Sequence, residues 1–540
     1  VRTASGLDIV CKNKKRKGII LRKVEGLGPE EYRLKVSPED IVAEAATPAG
    51  AFYSLQTLLQ LLPPEIYSSK KITGIKWTIP CCEISDKPAF SYRGMMLDCG
   101  RHFYSKEFVK KFIDQMSILK LNMFHWHLTE DQGWRIEIKK YPLLTEVGSK
   151  RPYTADYDDK NSDGKPHEGF YTQEDIKEIV DYATLRHVTV VPEIEIPGHS
   201  TAALAAYPAL SCDPTKTYKV STCWGIKEDV YCPSEFTFRF LEDVFTEMLP
   251  LFPSRYWHIG GDECPQKAWK ESAFCRNLMK QKGLKSYDEI QSLFVNRVSS
   301  FLRSHGKTVI GWDEILDGGN VDGMVAQSYR GHAPAAKGIR RGHHVILSPD
   351  RWCYYNYYQA DPETEPKANS LLLTLKKAYN YYPVVDSLPE LSKKYIIGAE
   401  GCVWGEFIPD VNSAEYWTFP RMAAMSEVGW TERQNKDWQS FRVRMEKEMK
   451  RLEASEIACS KVYWNVIFDY DSINLPRPVD ADLMLEYPYA AIHYTTDGTV
   501  PTPDSPVFSR KFTPGKGVTV KAQGFTHDGR PVGKPTSKRF

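Results

Sequence analysis

Between Ser91 and about Trp430, short apolar runs alternate along the chain with longer segments in which apolar residues recur every three or four positions. The first pattern is typical of buried strands and the second of amphipathic helices, such as SKEFVKKFIDQMSILK and QEDIKEIVDYATLRH. The eight strand-like runs are YRGMMLD, NMFHWHL, VTVVPEIE, YWHIGGDE, TVIGWDEI, GMVAQSY, HHVILSP and YIIGAEGCVW. Eight such alternations predict an α/β fold, a (β/α)8 or TIM barrel. A doubly wound open sheet is the alternative, but no Gly-rich phosphate loop follows the first run.

The segments on either side of this region have different patterns. Residues 1–88 predict a small α+β domain, with two strands around a turn at Ser37 and Pro38 followed by a helix. Residues 459–540 are rich in strand-like patterns separated by Asp-Gly and Pro turns, which predicts a small β-sandwich-like domain. We therefore expect three domains, in which the barrel and a trailing helix occupy residues 89–458.

Composition restricts the class of protein further. Hydrophobic residues make up 42% of the 540 positions and charged residues 26%, as in ordinary globular proteins. A net charge of +2 creates no field that favours nucleic acid or an anionic membrane, and no apolar run reaches the roughly 20 residues that span a bilayer. The 13 Trp and 30 Tyr are more informative, because aromatic rings can stack on the apolar faces of sugars.

The 12 cysteines do not indicate a redox compartment, since they form neither zinc-spaced CxxC pairs nor a dense disulfide framework. Cys212, Cys223 and Cys232 lie close enough in sequence for one local disulfide, and free buried thiols are an equally good interpretation. The chain begins at Val1 with no recognisable signal peptide, so we interpret it as a mature or trimmed chain. We expect a secreted, periplasmic or cell-surface location.

Acidic and aromatic residues cluster where the predicted strands end, which is where (β/α)8 barrels carry their active sites. The first four strand ends carry Arg101, then His125, His127, Glu130 and Asp131, then Glu193, Glu195 and His199, then Asp262 and Glu263. The other four carry Trp312, Asp313 and Glu314, then Tyr329, then Tyr354 to Asn356, then Trp404 and Glu406. Carboxylates beside aromatic rings are what glycoside hydrolysis uses, although any one of these residues alone would more often be a surface or core residue.

The segment HIGGDE resembles the signature of glycoside hydrolase family 20, the β-N-acetylhexosaminidases. The other matching segments are GMMLDCGRHF, NMFHWHLTEDQGWRIEIKKYP, PEIEIPGH, VIGWDEIL, CVWGE and FPRMAAMSEVGW. Residues 1–88 resemble the small domain that precedes the barrel in this family, and the tail resembles the C-terminal β-domain of bacterial chitobiase-type members. The resemblance implies an exo-acting, retaining enzyme that needs no cofactor or metal. It would release terminal β-linked N-acetylglucosamine from glycans, and N-acetylgalactosamine and 6-sulfated N-acetylglucosamine are left open.

The resemblance also implies substrate-assisted chemistry, in which the sugar's own 2-acetamido oxygen attacks the anomeric carbon and forms an oxazoline-type intermediate. It assigns Glu263 as the general acid and then the general base, and Asp262 as the acceptor of the acetamide N–H. Because the two acids are neighbours in the chain, we expect their titrations to be coupled.

Four further residues correspond to family positions around the sugar ring and the acid. Arg101 resembles the residue that binds the 3- and 4-hydroxyls, since a planar guanidinium suits two neighbouring acceptors, and Glu406 resembles the partner of the 4-hydroxyl. Glu130 and His199 resemble a relay beside the acid, with Glu130 at a position where the family often has Asp.

Aromatic residues correspond to the walls of the acetamide pocket. Trp312 and Trp404 resemble two of these walls, and Tyr354 resembles the donor to the acetamide oxygen. Tyr329 stands where a third Trp is frequent, which predicts a looser or more polar pocket. Asn356 stands where many members have an Asp facing the 6-hydroxyl.

Two other functions fit parts of the sequence. A metal-dependent hydrolase could use His125 and His127, which lie two apart on a strand and so face the same side, although HWH is a weak motif. A non-catalytic carbohydrate-binding protein could retain the fold without activity, but both candidate acids are present. For the C-terminal domain, a structural role is favoured over a sugar-binding one.

Overall fold

A computed structural model of the chain describes residues 1–7, 18–157, 160–319, 321, 323–468 and 480–540. These residues form two compact units. We call the first the barrel unit, which comprises residues 90–354 and 383–411. The second is the flanking unit, which comprises residues 1–89, 355–382 and 412–540.

The barrel unit contains a closed barrel of eight parallel strands, which confirms the predicted (β/α)8 fold and excludes the doubly wound sheet. The ring closes where the last strand pairs with the first and the first pairs with the second. Every strand matches one of the eight apolar runs of the sequence. In chain order the strands are Tyr92–Asp98, Met123–His127, Thr189–Glu193, Tyr256–His258, Thr308–Trp312, Val325–Ser328, His344–Leu347 and Ile396–Val403.

The connecting helices begin at well-defined caps. Thr172 accepts from the backbone N–H of Asp175, and Asp175 accepts from the backbone N–H of Thr172, so a capping box starts the helix Gln173–Thr184. Each of these helices turns an apolar stripe toward the barrel strands and leaves charged residues outside. The helices of the barrel unit are Lys106–Ile118, Leu143–Glu146, Gln173–Thr184, Thr201–Ala206, Glu235–Met248, Lys267–Glu271, Ala273–Lys282, Asp288–Ser304, His332–Arg340 and Asp350–Cys353.

The barrel interior is apolar at one end and polar at the other. A buried apolar layer lies toward the start of the strands and consists of Tyr92, Val191, Ile310, Val325 and Ile346. Next to it lies the fully buried Glu400, whose carboxylate accepts from the Tyr92 hydroxyl at 2.6 Å and from the Gln327 amide at 2.7 Å. Ionisable side chains therefore begin inside the barrel and continue toward the carboxyl ends of the strands.

The flanking unit begins with a four-stranded sheet and a helix. The strands, in their order across the sheet, are Ile19–Lys23, Ile41–Ala45, Tyr32–Val36 and Cys82–Asp86, and the helix is Pro48–Leu61. The two strands predicted around Ser37 and Pro38 are confirmed. The strand Cys82–Asp86 lies at one edge of this sheet, and the carboxylate of Asp86 accepts from the Trp430 indole N–H at 2.8 Å.

The C-terminal part of the flanking unit is a small β-sandwich. A two-stranded sheet, Val466–Phe468 with Leu483–Leu485, packs against a three-stranded sheet of Ala490–Thr495, Thr519–Thr526 and Pro531–Arg539. Their facing sides share an apolar core that includes Val466, Leu483 and Val520. The sandwich-like domain expected from the turn-rich tail is confirmed.

Helices and one buried arginine hold the middle of the flanking unit. Both Nη atoms of Arg421, in FPRMAAMSEVGW, donate to backbone carbonyls, among them those of Tyr355 and Tyr357 on either side of Asn356. The Asn356 side chain is buried. The backbone carbonyl of Asn356 accepts from the backbone N–H of Asn369 at 3.2 Å. The remaining helices of eight residues or more are Val411–Thr418, Arg421–Trp430 and Trp438–Ala454.

Across the part of the chain that the structure describes, no helix is both long and apolar enough to cross a membrane. The 11 cysteines within that part are all free thiols. Cys223 does not pair with Cys212 or Cys232; its sulfur accepts from the Lys227 ammonium at 3.3 Å.

Candidate active site

The two candidate acids lie directly beyond the fourth barrel strand. Strand Tyr256–His258 leads through Ile259 and two glycines to Asp262 and Glu263. The backbone N–H of Glu263 donates to the Glu314 carboxylate at 2.8 Å. Only 13% of the Asp262 side chain is exposed, against 43% of the Glu263 side chain. The turn therefore presents one shielded carboxylate and one accessible carboxylate at the mouth of the barrel.

The backbone around these acids is strained. Glu263 and His199 both adopt left-handed conformations, with φ of +44° and +46°. A non-glycine residue in this region costs about 1–2 kcal/mol, because its Cβ crowds the following carbonyl oxygen. Such strain persists only where the surroundings enforce it, and it concentrates at functional sites.

His199 faces both acids and is held from behind by two more. Its Nε2 lies 3.6 Å from Glu263 Oε2 and 3.8 Å from Asp262 Oδ2. Its Nδ1 lies 3.2 Å from Asp131 Oδ2 and 3.3 Å from Glu130 Oε2. Burial acts to lower the pKa of His199, but Glu130, Asp131 and Glu263 outweigh it and raise that pKa well above its ordinary value. These carboxylates favour an imidazolium, whose Nδ1 bonds to Asp131 while its Nε2 faces the two candidate acids beyond hydrogen-bond distance.

Two acids approach His199 Nδ1: Glu130, which the sequence suggested as a relay residue, and its neighbour Asp131. Asp131 makes the hydrogen bond to the His199 ring, and its other oxygen accepts from the Thr201 backbone N–H at 3.0 Å. Glu130 is shared, since Oε1 pairs with Arg101 at 2.8 Å while Oε2 accepts from the Asp131 N–H at 2.6 Å. Glu130 thus links the arginine to the relay, and Asp131 orients the histidine.

The surroundings of Asp262 and Glu263 shift the pKa values of these two acids in opposite directions. Burial raises the pKa of Asp262 well above its ordinary value, and Glu195 adds to this effect while His199 opposes it. The adjacent His199 lowers the pKa of Glu263, although partial burial acts in the opposite direction. The surroundings therefore favour the protonated form of Asp262 and the ionised form of Glu263.

Arg101 is fixed by acids on two sides. Its Nη1 donates to Asp98 at 2.9 Å, its Nη2 pairs with Glu130, and its guanidinium carbon lies 5.1 Å from the centre of the Trp404 ring. Burial raises the pKa of Glu406, and the charge of Arg101 opposes that rise. Arg101 and Glu406 thus form a charged wall where neighbouring hydroxyls of a sugar could be bound.

Four aromatic rings form a continuous wall in the same unit. Trp312 contacts Trp404 with 5.6 Å between ring centroids, Tyr329 contacts Trp312 at 5.7 Å, and Tyr354 contacts Trp404 at 5.9 Å. The Tyr329 hydroxyl donates to Glu314, the residue that also holds the Glu263 backbone. Tyr329 therefore also links the aromatic wall to the carboxylate beside the two candidate acids.

A buried polar layer supports this wall. Glu193 accepts from the Trp312 indole N–H at 3.0 Å and lies 2.8 Å from His125 Nε2 and 2.6 Å from His258 Nδ1. Although burial acts to lower it, Glu400 and Glu193 raise the pKa of His125 to about 9. These two carboxylates favour the protonated form of His125, which is completely buried. With Glu193 and His258 it forms a group whose ligand atoms lie within 4.8 Å of one another, so a metal-dependent hydrolase stays the alternative function.

The structure brings nearly all the sequence-predicted site residues together within the barrel unit. These are Arg101, Glu130, His199, Asp262, Glu263, Trp312, Tyr329, Tyr354, Trp404 and Glu406. Asn356 belongs to the flanking unit. The strand-end pattern named Asp131 and Glu314 without assigning a role to either, and it did not name Asp98, the last residue of the first barrel strand.

A (β/α)8 barrel with two adjacent acids at its mouth, beside an aromatic wall, fits a glycoside hydrolase. The chain belongs to glycosyl hydrolase family 20. The model for the family's catalytic domain matches residues 90–433, and the model for its domain 2 matches residues 1–87. The model for the chitobiase/beta-hexosaminidase C-terminal domain matches residues 477–534.

Individual relatives agree with this assignment. A beta-hexosaminidase from Porphyromonas gingivalis is 44% identical over 429 residues, which cover 79% of this chain and 54% of that relative. The chain thus matches about half of that protein's length. Among solved structures, an exo beta-N-acetylglucosaminidase from Vibrio harveyi in complex with N-acetylglucosamine is 36% identical, with a TM-score of 0.73 over 82% of this chain and 69% of that one. A mutant Streptomyces plicatus beta-hexosaminidase with its GlcNAc product is 31% identical, with a TM-score of 0.75 over 85% of this chain and 87% of that one.

Two glycines with the same backbone conformation provide a test of how tightly the turn before Asp262 and Glu263 is packed. Gly260 and Gly283 have nearly equal φ, +66° and +67°, but a Cβ at Gly260 would lie 1.7 Å from Glu195 Oε2 while a Cβ at Gly283 would meet open space. We expect Gly260→Ala to lose about 3 kcal/mol or more of stability, from overpacking and left-handed strain together. Gly283→Ala should lose only about 1 kcal/mol from strain.

Thermal unfolding of both variants measures the difference, with circular dichroism as a check on folding. Equal shifts of the unfolding midpoint would show that Glu195 moves aside freely and that the turn before the acids is not tightly packed.

Proposed function

We propose that this chain is an exo-acting, retaining β-N-acetylhexosaminidase that hydrolyses terminal β-linked N-acetylglucosamine by substrate-assisted catalysis. Glu263 is the general acid and then the general base. Asp262 accepts the acetamide N–H and stabilises positive charge on the oxazoline-type intermediate. The sugar's acetamide oxygen is the nucleophile, so the protein supplies none.

One observation carries this proposal: two adjacent acids, one shielded and one accessible, approach the same histidine nitrogen at 3.8 and 3.6 Å. The nearby Glu314 is occupied by the Glu263 backbone and the Tyr329 hydroxyl. The buried Asp262 Oδ1 has no hydrogen-bond partner within the described residues. A buried acceptor without a partner is costly unless a ligand satisfies it, and an acetamide N–H supplies the missing donor.

Binding of the acetamide would also redistribute the proton. An N–H directed at Asp262 favours its carboxylate form, since hydrogen bonds to the charged form lower a pKa. A sugar covering Glu263 removes water from it, which favours the protonated acid. The two acids can therefore exchange protonation states without net proton uptake, and Glu263 then holds a proton for the leaving oxygen.

The remaining site residues act in binding. Arg101 and Glu406 bind the ring hydroxyls, and the four-ring wall of Trp312, Tyr329, Tyr354 and Trp404 encloses the acetamide. The N-acetylglucosamine complexes of the Vibrio and Streptomyces relatives support this class of substrate. A non-catalytic sugar-binding protein is a weaker alternative, because binding alone gives no reason for strain at both Glu263 and His199.

A location outside the cytoplasm, whether secreted, periplasmic or on the cell surface, is part of the same proposal. The glycans that carry terminal N-acetylhexosamines are its expected substrates.

The first functional test replaces the acid. We expect Glu263→Gln to reduce kcat on a natural disaccharide by about 10²–10⁴-fold, the usual contribution of general acid–base catalysis. Aryl substrates with good leaving groups should lose less, because their leaving oxygen needs less protonation. Glu271→Gln, at an exposed position of the next helix, is the matched control and should behave as wild type. Retention of more than half the rate by Glu263→Gln would refute the assignment.

The second test concerns the acetamide. We expect Asp262→Asn to lower kcat about 10²–10³-fold, as when one preorganised hydrogen bond to developing charge is removed, because an amide is a poorer acceptor than a carboxylate. A thiazoline mimic of the intermediate should inhibit wild type strongly, and substrates without the 2-acetamido group should react very poorly. Proton NMR of the first-formed product should show retention of the β-anomer; an α-anomer would overturn the mechanism.

The third test addresses Asn356, whose contact with the 6-position of the sugar stays a prediction from the family resemblance. An uncharged amide does not repel a 6-sulfate as Asp would, and it can donate hydrogen bonds to an anionic oxygen. We expect wild type to cleave 6-sulfated aryl N-acetylglucosaminide, and Asn356→Asp to lose that activity selectively. The measurement is the ratio of kcat/KM for sulfated and plain substrates in both proteins. If neither protein cleaves the sulfated substrate, Asn356 does not set specificity.

A further inference from the structure

Three cysteines from different parts of the sequence meet in the barrel unit. The sulfurs of Cys212, Cys232 and Cys275 lie within 4.8 Å of one another, and those of Cys212 and Cys275 are 3.7 Å apart. Cys232 and Cys275 are buried, and Cys212 is partly exposed. A single buried thiol is common in proteins, but three sulfurs this close together can bind one metal ion.

The backbone places these sulfurs before any ligand binds. Ser211 and Tyr231 form an antiparallel bridge, and the Cys232 N–H donates to the Leu210 carbonyl at 2.8 Å, so Cys212 and Cys232 are brought together. Cys275 lies in the first turn of the helix Ala273–Lys282, where its N–H donates to the capping Ser272 hydroxyl at 3.3 Å. All three positions are therefore set by local hydrogen bonds.

The spacing of the sulfurs is compatible with one metal ion. A tetrahedral zinc ion with Zn–S bonds of about 2.3 Å separates its sulfurs by about 3.8 Å and uses all three thiols, whereas a disulfide uses only two. The Cys212 and Cys275 sulfurs are 3.7 Å apart, and all three sulfurs lie within 4.8 Å of one another, so small side-chain movements would complete the set. Because Cys212 is partly exposed, water can reach the site.

The geometry points to a structural zinc site formed by the thiolates of Cys212, Cys232 and Cys275, with water as the fourth ligand. Binding replaces three S–H protons, which pass to solvent, by three Zn–S bonds, and no electrons are transferred. A soft thiolate set selects zinc over the hard cations Mg²⁺ and Ca²⁺.

The site would join the segment between Cys212 and Cys232, which contacts the relay, to the helix Ala273–Lys282. In the segment between Cys212 and Cys232, the Ser221 N–H donates to the Asp131 carbonyl at 3.0 Å, and the Tyr231 N–H donates to the Pro197 carbonyl at 3.0 Å. Asp131 orients His199, and Pro197 lies just before it. A zinc ion would fasten this segment to the helix that carries Cys275.

The test measures metal on the whole chain, purified without chelators from zinc-supplemented cells. We expect about one zinc per chain by plasma mass spectrometry, and Cys212→Ser, Cys232→Ser and Cys275→Ser to lose it. Cys223→Ser is the matched control and should keep it, because Cys223 contacts Lys227 instead. After chelation, zinc sulfate alone should raise the unfolding midpoint of wild type, and magnesium sulfate should not.

Two results would overturn the site. One is wild-type protein with no zinc and no zinc-dependent rise in its unfolding midpoint. The other is a disulfide between any two of these three cysteines, found by peptide mapping without reduction. The wild-type measurements decide the matter even if a serine variant fails to fold, and none of them depends on hydrolytic activity.

Discussion

The buried carboxylate of Glu193 is the constraint on which the site depends. A carboxylate removed from water is very unfavourable unless hydrogen bonds and opposite charges surround it. Glu193 meets this requirement by taking the Trp312 indole N–H and by lying against His125 and His258. Each partner comes from a different barrel strand, so satisfying one charge fixes the relative positions of several strands. The orientation of Trp312, and with it the aromatic wall, follows from that requirement.

Much of the fold could be predicted, because the strands of a parallel barrel are buried on both faces and appear as apolar runs. The same runs located Asp262 and Glu263, since strand ends point toward the site. The sequence could not show which of Glu130 and Asp131 faces His199. The directions of two neighbouring side chains depend on the local backbone conformation, which the sequence pattern does not give. It also gave no indication of the cysteine cluster, whose members lie 20 and 43 positions apart and follow no known metal spacing.

Charge in the site is organised around His199. The imidazolium stabilises the ionised form of Glu263 on one side, while Asp131 and Glu130 keep the ring protonated from the other. Glu130 in turn pairs with Arg101, so the group that binds the sugar ring and the group that orients the acid share one carboxylate. Because these charges are fixed before substrate arrives, little reorganisation is needed when charge develops during the reaction.

The left-handed backbones of His199 and Glu263 also bear on how this protein can change over evolution. Glycine in place of Glu263 would relieve strain at a partly exposed position, yet it would remove the candidate acid. Glycine in place of His199 would relieve similar strain, but it would also take a counter-charge from the buried Glu130 and Asp131, which is strongly destabilising. Selection for heat resistance alone would therefore remove the acid before the histidine. An inactive descendant that keeps the barrel would be recognisable by His199 together with Gly in place of Glu263.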